Sequence, residues 1–202
     1  LELAKAYIEI GDVDGARAHA DAVIQLRAEA SLGTWHSFAE AIRAWAMAEL
    51  GQVEEGLDLL RQALIELQAA GMGMFLPWAF SVFADLCKRA GKHDEALVVL
   101  DEALGSSTIS GARWWAPELM RLRAEIAHAG GSVDEARALL DEALALAREQ
   151  GARALELRLG GTLVALFPGD PAQRARAAEI VARLTGEVDP GELAALAAAC
   201  SA

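Results

Sequence analysis

The chain is poor in the residues that would make it a secreted scaffold, a metal protein or a membrane protein. Its two cysteines, Cys87 and Cys200, are far apart, which gives neither a disulfide framework nor a zinc spacing. No window approaches eighteen consecutive apolar residues, and no basic region followed by an apolar stretch opens the sequence. Neither a spanning helix nor a signal peptide is therefore read here, and the cytoplasm is the expected location. Basic residues are also scarce: 18 Lys and Arg stand against 30 Asp and Glu, a net charge of −12. That balance argues against nucleic acid as a direct partner, because phosphate backbones are bound by Lys and Arg, and against an acidic membrane surface.

Catalytic signatures are missing too. There is no Gly-x-Ser-x-Gly, no phosphate loop and no His-Glu-x-x-His. The four histidines lack the company that catalysis or metal binding requires: His19 and His36 are isolated on helical segments, and His93 occupies a slot held elsewhere by valine. Carboxylate neighbours such as Asp141-Glu142 point in different directions on a helix and form no acid/base dyad. No catalytic residue, cofactor or metal is expected. What the chain does have is a 54% apolar composition rich in Ala and Leu with only five prolines, the make-up of a packed helical protein.

It also has a repeat. Gly91-Lys-His-Asp-Glu-Ala-Leu-Val-Val-Leu-Asp-Glu-Ala-Leu104 returns forty residues later as Gly131-Ser-Val-Asp-Glu-Ala-Arg-Ala-Leu-Leu-Asp-Glu-Ala-Leu144, and the same step backwards finds versions starting at Gly51 and Gly11. Ala4, Ala44, Ala84 and Ala124 share one slot seven residues before these glycines. Two helices per unit follow. The alanine marks a close helix crossing, and the glycine ends the first helix in a left-handed cap. The second helix opens with acids and, at Ser132 and Glu135, with capping-box spacing, then carries Ala96, Leu100, Ala103 and Leu104 at helical intervals. Pro77 and Pro117, again forty apart, fall near the start of first helices, where a missing N–H costs nothing.

The spacing predicts helices over 1–10, 13–31, 34–50, 53–70, 75–90, 93–105, 113–130, 133–150, 153–167 and 172–185, with a terminal helix from 189 to about 200 opened by Asp189-Pro-Gly-Glu192. These group into repeats at about 1–31, 34–70, 75–105, 113–150 and 152–186, with 189–200 as a cap. The segment Gly105 to Gly111 reads as the longest turn and the most mobile one. The start at Leu1, without Met and on a helix half the length of its later equivalents, reads as a fragment of something longer.

Small residue, aromatic or small, Gly, Asp/Glu-Ala and two further apolar positions, as in Leu3-Ala4, Tyr7, Gly11 and Ala16, resemble the tetratricopeptide repeat. The family's usual unit is shorter and often has a tryptophan early in its first helix, which is absent in register here. The phrases Glu118-Leu-Met-Arg-Leu-Arg-Ala-Glu125 and Ala154-Leu-Glu-Leu-Arg158 further resemble the C-terminal repeat region of bacterial signalling ATPases linked to adenylate/guanylate cyclase or helix-turn-helix regulator modules. The resemblance implies an all-α, right-handed α-α superhelix of about five helix pairs plus a C-terminal capping helix, with first helices lining a concave groove.

Projected onto that groove are Phe38, Ala41, Trp45, Ala48 and Glu49, then Trp78, Ser81, Asp85, Lys88 and Arg89, then Glu118, Arg121, Glu125, His128 and Ala129. Phe38, Trp45, Trp78, Asp85, Lys88, Arg89, Arg121, Glu125 and His128 are the expected partner-binding residues, with Trp78 taking an apolar side chain and Lys88 and Arg121 a carboxylate. Internal ion pairs, Arg121 with Glu125 and Asp85 with Lys88 or Arg89, are the competing arrangement. The expected partner is a protein or peptide segment, or another domain of the parent chain. The alternative is an oligomerising or spacing scaffold with no dedicated ligand site.

Overall fold

The computed structural model describes residues 12–26, 33–71, 73–110, 113–188 and 190–201. They form ten α-helices: α1 (Val13–Leu26), α2 (Gly33–Glu49), α3 (Val53–Ala69), α4 (Leu76–Arg89), α5 (His93–Ser110), α6 (Ala116–Ala129), α7 (Val133–Glu149), α8 (Arg153–Leu166), α9 (Pro171–Leu184) and α10 (Pro190–Ser201), with one 3₁₀ turn at Arg113–Trp115. Two compact units result, Leu1–Ala112 and Arg113–Ala202. The helix expected over 1–10 lies outside the described residues.

The α2–α3, α4–α5 and α6–α7 hairpins are closed by the device that the glycine spacing predicts, and the α7–α8 junction at Gly151 uses it too. Gly51, Gly91, Gly131 and Gly151 have φ of 90°, 73°, 85° and 64°, a region open to glycine at no steric cost. The amide after each glycine reaches back to Met47, Cys87, Ala127 and Ala147 at 3.0, 2.8, 2.9 and 2.9 Å, the long bond of a Schellman cap. Pro77 and Pro117 sit in the first turns of α4 and α6. Ser132 is the N-cap residue of α7 as expected, but its side chain makes no capping bond. Side-chain caps on second helices come instead from Asp12, which accepts from the Gly15 amide at 2.9 Å where α1 opens, and from Asp170, which accepts from the Ala172 amide at 2.9 Å and opens α9. The Asp170 carboxyl is held below the usual range, first by the Arg137 guanidinium and then by that amide.

In the first unit α2 packs on α1, α3 and α4, and α4 on α3 and α5; in the second α8 packs on α6, α7, α9 and α10. Within each unit a first helix thus touches the next first helix as well as its own partner, the arrangement of an α-α solenoid. Ala44, Ala84 and Ala124 are fully buried, as are Ala96, Leu100, Ala103, Ala136, Leu140 and Ala143. The terminal helix α10 lies on α8 and α9, where Leu196 is buried. One boundary differs from expectation. Residues 105–110 continue α5 as helix to Ser110, and the Ser106 hydroxyl donates to the Ala103 carbonyl at 3.0 Å within that extra turn.

Two consequences of the packing are measurable. Gly161 lies mid-helix in α8, and a Cβ there would meet open space. Gly161→Ala should therefore stabilise the second unit by roughly 0.5–1 kcal/mol, the helical penalty of glycine. Urea unfolding followed by circular dichroism checks it, and a loss of stability would mean that α8 is packed more tightly than it looks. Cys87 is fully buried against the α4–α5 hairpin, and burial pushes its thiol up to about 12. In the native protein Ellman's reagent should consume the thiol of the less buried Cys200 first, with Cys87 reacting only as the chain unfolds. Equal native reaction rates for both thiols would refute that placement.

Candidate interaction face on the first helices

The expected groove residues divide into three classes once the helices are packed. Phe38 and Trp78 are core: their exposures are 0% and 1%. Their rings lie 5.0 Å apart, Phe38 is 4.8 Å from Phe75, and Phe75 meets Trp35 edge-on at 5.8 Å. The expectation that Trp78 receives a partner's side chain is corrected by this burial. α2 and α4 approach each other there, and the two rings fill the space between them. Trp35 and Phe75, forty apart, pack together as their shared slot predicts.

Ala41, Ala48, Ser81 and Glu118 are likewise buried, leaving Trp45, Asp85, Lys88, Arg121, Glu125 and His128 partly exposed and Glu49, Arg89 and Ala129 exposed. Ser81 is satisfied internally, donating to the Trp78 carbonyl at 2.7 Å. On the first unit's face, Lys88 pairs with Asp85 at 2.9 Å, and Arg89 donates to Glu49 at 2.5 Å and to the Ala48 carbonyl at 3.1 Å. A longer contact links Arg89 to Asp85 at 3.9 Å.

On the second unit's face, Arg121 grips Glu118 through two bonds of 2.9 and 2.8 Å, bonds Glu125 one turn along α6, and reaches Thr162 of α8 at 3.3 Å. Arg158 of α8 approaches Glu118 at 3.7 Å. The internal ion pairs are therefore present, and the basic residues expected to await a partner's carboxylate each already hold a carboxylate of their own unit. His128 packs edge-on against Phe167 at 5.2 Å, and Arg137 covers that ring from 4.2 Å while bonding Asp170 at 2.8 Å.

Arg158 and Thr162 belong to the face but were not in the expected set. The signal was there: Arg158 is one forty-residue step beyond Glu118. A buried carboxylate on α8, Glu156, is met by Arg148 of α7 at 3.5 Å and by Arg183 of α9. It ties three helices together and is structural. Where α10 meets α9, an apolar pocket of about 320 Å³ is lined by Val181, Val188, Pro190, Leu193 and Ala197. Among the described residues no three His, Cys, Asp or Glu converge to hold a metal ion, and no helix is long and apolar enough to cross a membrane.

This is the geometry of a helical-repeat solenoid, with paired helices, buried alanines at the crossings and side chains of changing character on the first-helix faces. No protein-family model matches the chain and no curated protein matches it. A solved structure does. The crystal structure of nearly identical TPR-like repeats in a kinesin light chain protein of Podosopora anserina covers 98% of this chain and 92% of its own, at 20% identity and a TM-score of 0.59. At that identity the likeness establishes the fold, an α-α solenoid of TPR-like repeats.

Proposed function

We propose that this chain is a non-catalytic module that binds a peptide or protein segment, or another domain of its parent polypeptide, along the faces of its first helices. In this reading it serves as a regulatory or sensor region of a multidomain bacterial signalling protein in the cytoplasm. One observation carries the binding role: packing slots repeat while surface slots do not. Ala44, Ala84 and Ala124 are the same residue in the same buried place, whereas the slot one residue on holds Trp45, Asp85 and Glu125. A constant scaffold with variable surface positions is how a repeat protein carries recognition. The signalling context is supported by the resemblance of 118–125 and 154–158, phrases that lie on α6 and α8.

A test is selection from a random peptide library on the purified chain, followed by binding to surface variants. Selected peptides should lose affinity for Trp45→Ala and Ala129→Glu and keep it for Val98→Asp on a second helix. Loss confined to Val98→Asp would move recognition off the first helices. The scaffold reading has an observation of its own, since Ile65 and Val98 on second helices are 56% and 67% exposed. Sedimentation velocity separates the two: a self-association abolished by Val98→Asp, with no peptide selected, favours the scaffold.

A further inference from the structure

Arg61 of α3 donates to Glu95 of α5 at 2.9 Å, and Gln68, two turns on, donates to Glu102 at 3.1 Å. Both bonds span 34 residues, so they set these two second helices side by side in one register, with Ile65 level with Val99 and Val98 level with Leu64. Leu64 and Leu100 turn to the core at 6% and 0% exposure, whereas Ile65 and Val98 face water at 56% and 67%. The repeat does not ask for aliphatic side chains here: the slot of Ile65 holds Gly105 and Ala145 in the following units, and that of Val98 holds Asp58 and Ala138. Two β-branched residues thus point outward between two polar bridges, as a pair rather than singly.

The same face is short of cations. α3 and α5 each carry four carboxylates, against one cation of their own, Arg61, and Lys92 immediately before α5. Arg61 is divided between Asp58 and Glu95, at 2.8 and 2.9 Å, and Lys92 bonds Glu54. Among the described residues Asp94 has no cationic partner. Asp94, Val98 and Asp101 follow one another at i, i+4 and i+7, one stripe of α5 with the aliphatic residue between two acids. A second copy of the chain would bring the same carboxylates and another net charge of −12 to this stripe, which opposes self-association there. A helix with an aliphatic stripe of its own and flanking Lys or Arg meets both features at the same spacing.

We propose that the outward face of α3 and α5, built on Ile65, Val98, Asp94 and Asp101, docks a cationic amphipathic helix of a partner. The aliphatic pair takes that helix's apolar stripe, and the acids take its Lys or Arg. This is a second surface, separate from the first-helix faces, so its failure leaves the reading of those faces standing.

The test uses the full chain and a fluorescein-labelled, amidated peptide, Lys-Leu-Ala-Ala-Lys-Leu-Ala-Lys-Leu-Ala-Ala-Lys-Leu-Ala, followed by fluorescence anisotropy. A scramble of the same residues and a version with Glu in place of Lys are the controls. The lysine peptide should bind saturably and both controls far more weakly. Ile65→Ser combined with Val98→Ser should weaken binding about tenfold, the size of two partly covered aliphatic contacts. Asp94→Asn combined with Asp101→Asn should weaken it about threefold, as expected for two wet charge contacts, and Trp45→Ala should leave it unchanged. All four substituted side chains are exposed, so the variants should keep the parent's circular dichroism. No saturable binding, equal binding of the scramble or of the glutamate version, or an affinity that survives either double variant overturns the proposal. A loss in Trp45→Ala overturns it by placing the peptide on the first-helix faces. A dimer of the unliganded chain in sedimentation velocity that Ile65→Ser with Val98→Ser dissolves also overturns it, in favour of a second copy.

Discussion

Trp78→Ala is expected to lower the stability of the first unit by about 3–5 kcal/mol, the range for removing a fully buried large aromatic. The side chain is 1% exposed and packs at a tilt, 5.0 Å between ring centroids, on Phe38, itself fully buried and in contact with Phe75. Truncation opens a cavity between α2 and α4, where close-packed interiors relax only in part. Urea unfolding by circular dichroism measures the effect, with Trp45→Ala as comparison. That residue sits on the same two helices' face but is only partly buried, so its loss should cost visibly less. If Trp78→Ala lost under about 1 kcal/mol, Trp78 would be a surface residue after all. The result also decides how binding experiments are designed, since a core variant that weakens the fold cannot report on a partner.

The fold was legible because its determinants recur. Glycines at one interval place the helix ends at 51, 91 and 131, and the alanine seven residues earlier marks the buried crossing at 44, 84 and 124. Each repeat is an independent reading of the same signal, so errors in one are corrected by the others. Where the signal stops repeating, reading from sequence was weaker. The segment 105–110 reads as a turn because Gly105 and four serines or threonines carry no apolar period, although a helix already nucleated by α5 can run on through them. In Pro168-Gly-Asp-Pro171 the glycine interval is lost, yet Asp170 makes the capping bond that opens α9.

The interaction face was legible only in part, for a different reason. Helical spacing tells which side of a helix a residue takes, but not how near the next helix comes. Phe38 and Trp78 share the angular position of Glu118, and all three are covered by the adjacent first helix. Ion pairing was better foreseen, because i to i+3 and i to i+4 partners follow from one helix alone: Lys88 with Asp85 and Arg121 with Glu125 both form. Contacts spanning forty residues, such as Arg89 with Glu49, needed the register between helices, which the repeat supplies once it is applied to side chains as well as to the backbone.

Gly56→Ala should destabilise the first unit, although two familiar rules predict the reverse. The repeat itself favours alanine, since Ala16, Ala96 and Ala136 occupy this slot in the other units. Helix propensity agrees: replacing a mid-helix glycine by alanine gains about 0.8–1 kcal/mol where there is room. Here there is none. A Cβ on Gly56 would sit 2.7 Å from the backbone carbonyl oxygen of Ala44 and 3.4 Å from the Ala48 Cβ. The obstacle is main chain in the middle of α2 and cannot rotate away, so α3 must move off α2 as a body. Overpacking of that kind costs about 1–3 kcal/mol, outweighing the propensity gain in all but the mildest case. The net expectation is a loss of roughly 1 kcal/mol or more on the urea midpoint of the first unit. Gly161→Ala in α8, where the new methyl meets open space, is the control that should move the other way. If both variants gain stability, the α2–α3 hairpin is looser than its backbone approach indicates. If Gly56→Ala alone loses it, glycine at this slot is the condition for the close crossing of α2 and α3, and the hairpin's register is set there by backbone contact.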